Sequence, residues 1–270
     1  MKKLLVILLS LMMLLPLAAS ADKLDDIKAS GKLLVGASAD FPPFEFWYAD
    51  PATGKDTLQG IDMALAKGLA EYLGVEFVLV DQAFSGLITE LRAGSIDIIL
   101  SGMNIKPDRM EVVDFSVPYF SGTQVMVVKK DELDAYKTVE AMAGKTIGVQ
   151  LGTLQQEIAE TQFKDSEMLA LDKIPLLVLE LEMGGIDGLL LDNTVAFSYA
   201  TVHPQIAVSE MPIAWEFDGM GAAVNKGDDN AAFLAAVNAY IEQVKTDGTL
   251  DTWTQEAYAI NGLLLQQADQ

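Results

Sequence analysis

FSGLITELRAGSIDIILSG, residues Phe84 to Gly102, places a helix directly before a strand. Phe84 to Gly94 has helical periodicity and ends on a glycine, the usual stop signal. Ile96 to Gly102 is an apolar run closed by Ser-Gly, which reads as a buried strand. Toward the N-terminus, EFVLV (Glu76 to Val80) is a second strand. Before it, Ile61, Leu65, Leu69 and Leu73 recur at every fourth position and define one face of a helix. KLLVGAS (Lys32 to Ser38) is a third strand. Strands and helices alternating in this way predict a βαβαβ unit with a parallel sheet.

The pattern then restarts. TIGVQ (Thr146 to Gln150), EMLALD (Glu167 to Asp172) and GLLLD (Gly188 to Asp192) read as strands. Helical stretches follow each of them: Thr153 to Phe163, Ile174 to Gly185 and Asn193 to Val202. The fold class is therefore α/β, with two lobes of similar plan. QVMVVKK (Gln124 to Lys130) and MGAAVNKG (Met220 to Gly227) suit two crossing strands, and a helix from Asn230 to Val244 returns to the first lobe. Expected limits are 22–122 and 219–270 for lobe 1 and 123–218 for lobe 2. Two crossings make a hinge, and ligands of open α/β sheets bind at the carboxyl ends of the strands. Ala49 to Gly60 is rich in turn residues and reads as a hairpin or exposed loop.

Residues 1–21 read as a signal peptide. Lys2 and Lys3 precede an apolar run, and Pro16 and the small residues Leu17 to Ala21 follow. The run is about a dozen residues, short of the roughly 20 that span a bilayer. Cleavage is expected after Ala21, giving a periplasmic chain with no membrane anchor. With no cysteine in the sequence, disulfides, thiolate catalysis and thiolate zinc sites are excluded. A net charge of −21 repels phosphate backbones, so no nucleic-acid partner is expected. Neither a cofactor nor a metal site emerges. The one histidine, His203, reads as a surface loop residue, and GDDN (Gly227 to Asn230) supplies acids to the start of a helix rather than a calcium loop.

Three segments carry polar chemistry at strand ends. In SGMNIKPDRMEVVDFSVPY (Ser101 to Tyr119), Gly102 allows close backbone approach and Asn104 offers its amide and N–H. Pro107 opens a helix, and Arg109 offers a fork of donors suited to a carboxylate. In VQLGTLQQE (Val149 to Glu157), Thr153 caps a helix, and the N–H groups of Thr153 and Leu154 point along its dipole at an anion. In LLLDNTVAF (Leu189 to Phe197), Asp192 can hold an ammonium group or cap the next helix. Donors for an anion and an acid across one cleft fit a zwitterion.

The ordered set also resembles a known family over nearly all of the chain after residue 21. Val35 to Phe46, Gly60 to Ala70, Phe84 to Met103, Ile105 to Gly122, Gly144 to Thr153, Gly184 to Asp192 and Lys245 to Trp253 are similar to the family 3 solute-binding proteins, the polar amino-acid binding proteins of bacterial ABC importers. That resemblance implies a type II periplasmic binding fold, two α/β lobes joined by a two-strand hinge. It implies a monomer that captures a free amino acid and delivers it to a membrane permease. By position, it makes Phe41 and Phe84 the aromatics that face the ligand. Arg109 and the N–H groups of Gly102 and Asn104 become the α-carboxylate clamp, with Thr153 and Leu154 as the second lobe's anion turn. Asp192 becomes the acceptor of the α-ammonium. Lysine- and arginine-binding relatives carry an acid where Ser38 stands, so its absence here argues for a neutral or polar side chain. Gln150 and Leu191 flank the anchors and help to read that side chain. The alternative on the same fold is an enzyme resembling cyclohexadienyl (prephenate/arogenate) dehydratase, which would need a second acid in the cleft.

Overall fold

The computed structural model describes residues 22–49 and 53–262. The expected signal peptide and the expected cleavage after Ala21 lie outside them, as does the chain from residue 263 on. A first helix, α1 (Lys23–Ser30), leads into β1 (Lys32–Ala37). A small three-stranded antiparallel sheet follows, built from β2 (Asp40–Phe41), β3 (Glu45–Ala49) and β4 (Asp56–Gln59). The turn-rich stretch before Gly60 is thus a hairpin, with Phe46 opposite Gln59. Next come α2 (Ile61–Leu73), β5 (Glu76–Asp81), a short 3-10 turn, α3 (Leu87–Ala93), β6 (Ile98–Ile99), α4 (Pro107–Met110) and β7 (Val113–Phe115).

The helical face read from the sequence is the buried one: Ile61, Leu65, Leu69 and Leu73 of α2 all face the core. Each such leucine contributes roughly 1.5–3 kcal/mol through burial. Gly74 ends α2 in the left-handed conformation that a glycine adopts without strain (φ 75°). The strand predicted over Ile96 to Gly102 forms a regular ladder only at Ile98–Ile99. On either side the chain stays beside β1 through single bonds, Asp97 N–H to Leu34 O and Leu100 N–H to Gly36 O.

The second half contains β8 (Gln124–Lys129), β9 (Thr146–Gln150), α5 (Leu154–Gln162), β10 (Glu167–Leu171), α6 (Ile174–Met183), β11 (Gly188–Asp192), α7 (Asn193–Val202) and β12 (Ile206–Val208). The chain ends with β13 (Ala223–Asn225), α8 (Ala231–Thr246) and α9 (Thr249–Ile260). Two five-stranded sheets result, ordered β5-β1-β6-β13-β7 and β10-β9-β11-β8-β12. They share one plan: three parallel strands, then an antiparallel strand, then an edge strand. In each sheet the antiparallel strand, β13 or β8, is the one reached just after the chain passes between lobes.

That corrects the reading of Gln124 to Lys130 and Met220 to Gly227 as the crossings themselves. Both runs are apolar because they are buried inside a sheet. The crossings are the short segments that lead into β8 and β13, tied together by Met220 N–H to Phe120 O and Tyr119 N–H to Met220 O. Among the described residues no helix is long and apolar enough to cross a membrane, and no group of acids and histidine could hold a metal ion.

Candidate ligand-binding site

Between the two sheets lies a cavity lined by Ser38, Asp40, Phe41, Glu45, Phe84, Ser101, Gly102, Asn104, Gln150, Thr153 and Gln155. Of the residues expected from the sequence, Phe41, Phe84, Gly102, Asn104, Thr153 and Gln150 are among these. Arg109 borders the cavity, whereas Leu154, Leu191 and Asp192 do not line it.

At the anion end, Pro107 starts the short helix α4 and so aims Arg109 inward, where it is almost fully buried. Its guanidinium lies over the Phe84 ring, 5.4 Å from the centroid. One Nη donates to Asn104 O at 2.7 Å and the other to Gly152 O, across the cleft, at 2.9 Å. A guanidinium has five N–H groups, so three remain beyond these two bonds. Burial lowers the Arg109 pKa to about 10, which leaves it charged at neutral pH. Asn104 forms an antiparallel bridge with Met220 in which Ile105 N–H and Gly221 N–H make the hydrogen bonds. In that pairing Asn104 turns its own N–H away from Met220. Its side-chain Nδ2 is buried without a partner among the described residues.

From the second lobe, Thr153 caps α5. Its Oγ1 accepts from Gln156 N–H and donates to Gln150 O at 2.7 Å. The first N–H groups of α5 therefore sit at the favourable end of the helix dipole beside Arg109. Leu154 contributes its backbone alone, since its side chain is core.

Gly102 requires a correction. Its N–H is not available to a carboxylate, because it donates to Asp62 Oδ2 at 2.7 Å. The group that needs glycine at this left-handed position (φ 52°) is the Phe41 ring, with which a Cβ would collide. Asp62, buried at the start of α2, also accepts from Tyr119 OH at 2.7 Å, and so ties strand end to hinge. Burial lifts its pKa to about 6 against these two bonds.

Asp192 performs one of its two expected roles directly. Its Oδ1 accepts from Thr194 N–H and caps α7, while its buried Oδ2 has no partner among the described residues. Burial lifts its pKa to about 7, the cap opposing. It pairs across the β8–β11 ladder with Gln124, whose Oε1 accepts from the cleft residue Gln155 at 2.7 Å. Asp192 thus stands one side chain behind the cavity wall.

Sequence reasoning passed over Asp40, Glu45, Ser101 and Gln155. Glu45 is fully buried and accepts from Ser101 Oγ at 2.7 Å; burial, then the nearby Asp62, raises its pKa well above the usual range. Asp40 accepts from Ser38 Oγ (2.9 Å) and from Ile174 N–H of the second lobe (3.2 Å). Ser85 to Asp172, Tyr199 to Asp40 O and Lys106 to Glu157 also join the lobes, which are closed on one another.

The model of the bacterial extracellular solute-binding proteins, family 3, matches residues 33–258. The chain belongs to this family. This family 3 protein is similar to the ABC transporter arginine-binding protein 1 of Escherichia coli K12, with 32% identity over 222 residues, 82% of this chain and 88% of that one. Its fold matches an amino-acid ABC transporter substrate-binding protein of Streptococcus pneumoniae bound to L-arginine. There the TM-score is 0.84 and the identity 30%, over 88% of this chain and 98% of that one. It also matches an ancestral amino-acid-binding protein described as a precursor of cyclohexadienyl dehydratase, with TM-score 0.78 and 33% identity over 87% and 99% of the two chains. The type II fold expected of the family is the one found, and these relatives are named for binding rather than for catalysis.

Proposed function

We propose that this solute-binding protein captures one L-α-amino acid with a neutral or polar side chain between its lobes and delivers it to the permease of an ABC importer. The observation that carries this reading is the buried, charged Arg109 set beside the Asn104 N–H and the N-terminus of α5, with two aromatic rings, Phe41 and Phe84, in the same cavity. The α-carboxylate meets Arg109, Asn104, Thr153 and the Leu154 N–H. The α-ammonium goes to Oδ2 of Asp192, unpartnered among the described residues, and reaches it as Gln155 gives up its bond to Gln124. The chain works as a monomer in the periplasm after cleavage behind Ala21, with lobes at 22–122 and 219–270 and at 123–218. It needs no cofactor and turns nothing over. Glu45 and Asp40, the further acids in the cleft, are engaged by Ser101 and by Ser38 with Ile174 N–H, and serve the wall.

Because Arg109 belongs to the first lobe and Thr153 to the second, a bound carboxylate bridges them and favours the closed form. Small-angle scattering of the mature chain tests this. The free amino acid reduces the radius of gyration, and its amide, lacking the carboxylate, does so far less. Equal compaction by both refutes the bridge. Dehydration of prephenate or arogenate by the purified chain would favour the enzyme alternative.

A further inference from the structure

We infer that Lys173 determines which class of side chain the cleft accepts, excluding cationic amino acids in favour of neutral ones that can accept a hydrogen bond. This rests on the amino-acid reading above. Lys173 stands at the start of α6 in the second lobe, yet its ammonium reaches into the first. Nζ donates to Ser38 Oγ at 3.1 Å and lies 3.5 Å from Gln82 O. It is 3.8 Å from Asp81 Oδ1 and 3.9 Å from Asp40 Oδ2. Ser38 and Asp40 line the same cavity as Phe84 and Asn104, which border Arg109. Gln150, also in the cavity wall, donates to the carbonyl of Asp172, the residue before Lys173.

Arg109 stands where a carboxylate docks, and Lys173, held between Asp40 and Asp81, fills the place behind Ser38 and Asp40 where a long side chain finishes. A ligand held by its carboxylate at Arg109 and laid along Phe41 and Phe84 brings its tip to Ser38 and Asp40. A guanidinium or ammonium tip arrives beside the Lys173 ammonium. It must either tolerate a like charge at close range or displace Lys173 from its four oxygens. Displacement also removes a bond between the lobes. A carboxamide or ureido tip avoids both penalties, because its oxygen accepts from Lys173 and its N–H donates to Asp40. Solvent reaches about a third of the Lys173 side chain, which weakens the repulsion without abolishing it.

L-Arginine and L-citrulline have the same length and a planar tip, and differ in charge. Titration calorimetry of both against the wild-type mature chain reads the discrimination. Citrulline is expected to bind on the order of ten-fold tighter than arginine, or more. Lys173→Met is expected to reduce that ratio by a similar factor or reverse it, and Lys173→Arg to keep it. Arginine binding wild type as tightly as citrulline overturns the inference, as does a ratio unmoved by Lys173→Met. Binding of other amino acids but of neither probe also overturns it, since the assignment requires a side chain that reaches Ser38. If no amino acid binds at all, the proposed function itself is wrong, which is a separate outcome.

Discussion

Replacing Asp192 with asparagine keeps the shape of the site and removes one charge. With the lobes closed, burial lifts this carboxyl from 3.8 to about 7, with Oδ2 unpartnered among the described residues. An ammonium delivered to Oδ2 supplies the missing countercharge and favours the ionised form. Ligand binding below pH 7 must therefore expel a proton. With a pKa of about 7, about 0.9 proton leaves per ligand at pH 6 and about 0.1 at pH 8. Affinity correspondingly falls about ten-fold for each pH unit below that pKa, equivalent to about 1.4 kcal/mol. Calorimetry in two buffers of different ionisation enthalpy counts these protons. Asp40, Glu45 and Asp62 are also raised by burial, so the variant is the control that isolates Asp192. Asp192→Asn should bind roughly 30- to several-thousand-fold more weakly, a loss of about 2–5 kcal/mol, and lose most of the proton release. Stability has a matching sign. The native carboxyl keeps a proton that the unfolded one has lost, so its contribution is fully present below about pH 4 and is lost as pH rises through about 7, on the order of 4 kcal/mol. Asp192→Asn should flatten that part of the stability curve. Wild-type affinity in the variant, or undiminished proton release, would refute the ammonium assignment.

Arg109→Ala should cost about 2–5 kcal/mol of binding, and Arg109→Lys should recover little of it, because an ammonium has three N–H groups and, with Asn104 O and Gly152 O served, keeps one for the carboxylate where the guanidinium keeps three. Competition binding with the best ligand reads both, and full rescue by lysine would contradict the role of the fork. Gly102→Ala should lower the melting temperature and weaken binding, by roughly 1–3 kcal/mol in stability, since it adds a Cβ against Phe41 at a left-handed φ. Phe41→Ala in the same chain should recover part of that loss, and strict additivity of the two changes would mean the ring is not the obstacle.

Local patterns made much of the fold legible. The period of Ile61, Leu65, Leu69 and Leu73, the glycine stops and the apolar strands each depend on neighbours a few residues away. Arg109, Thr153 and Asn104 could be placed because each follows the end of a sheet strand. What escaped depends on contacts between distant parts of the chain. Lys173 meets Ser38 across 135 residues, and nothing around Lys173 announces that its ammonium crosses the cleft. Asp62 looks like an ordinary acid in the first turn of a helix, yet it takes the N–H of Gly102, 40 residues away, which the clamp reading had assigned to the ligand. Asp40 and Glu45 escaped because no local pattern marks them, and only the β2–β3 hairpin brings those acids to the cavity. Short edge strands such as β7 and β12 have too few residues to show a period of their own.

On the proposed function, the cleft holds one zwitterionic amino acid whose side chain is not cationic. Titration calorimetry of the mature chain against the twenty L-amino acids, with ornithine, citrulline and cystine added, tests it most directly. The expected result is one site per chain, filled by a neutral or polar L-amino acid, with arginine, lysine and ornithine bound more weakly. Absence of binding by every amino acid, or tightest binding by a cationic one, would contradict it.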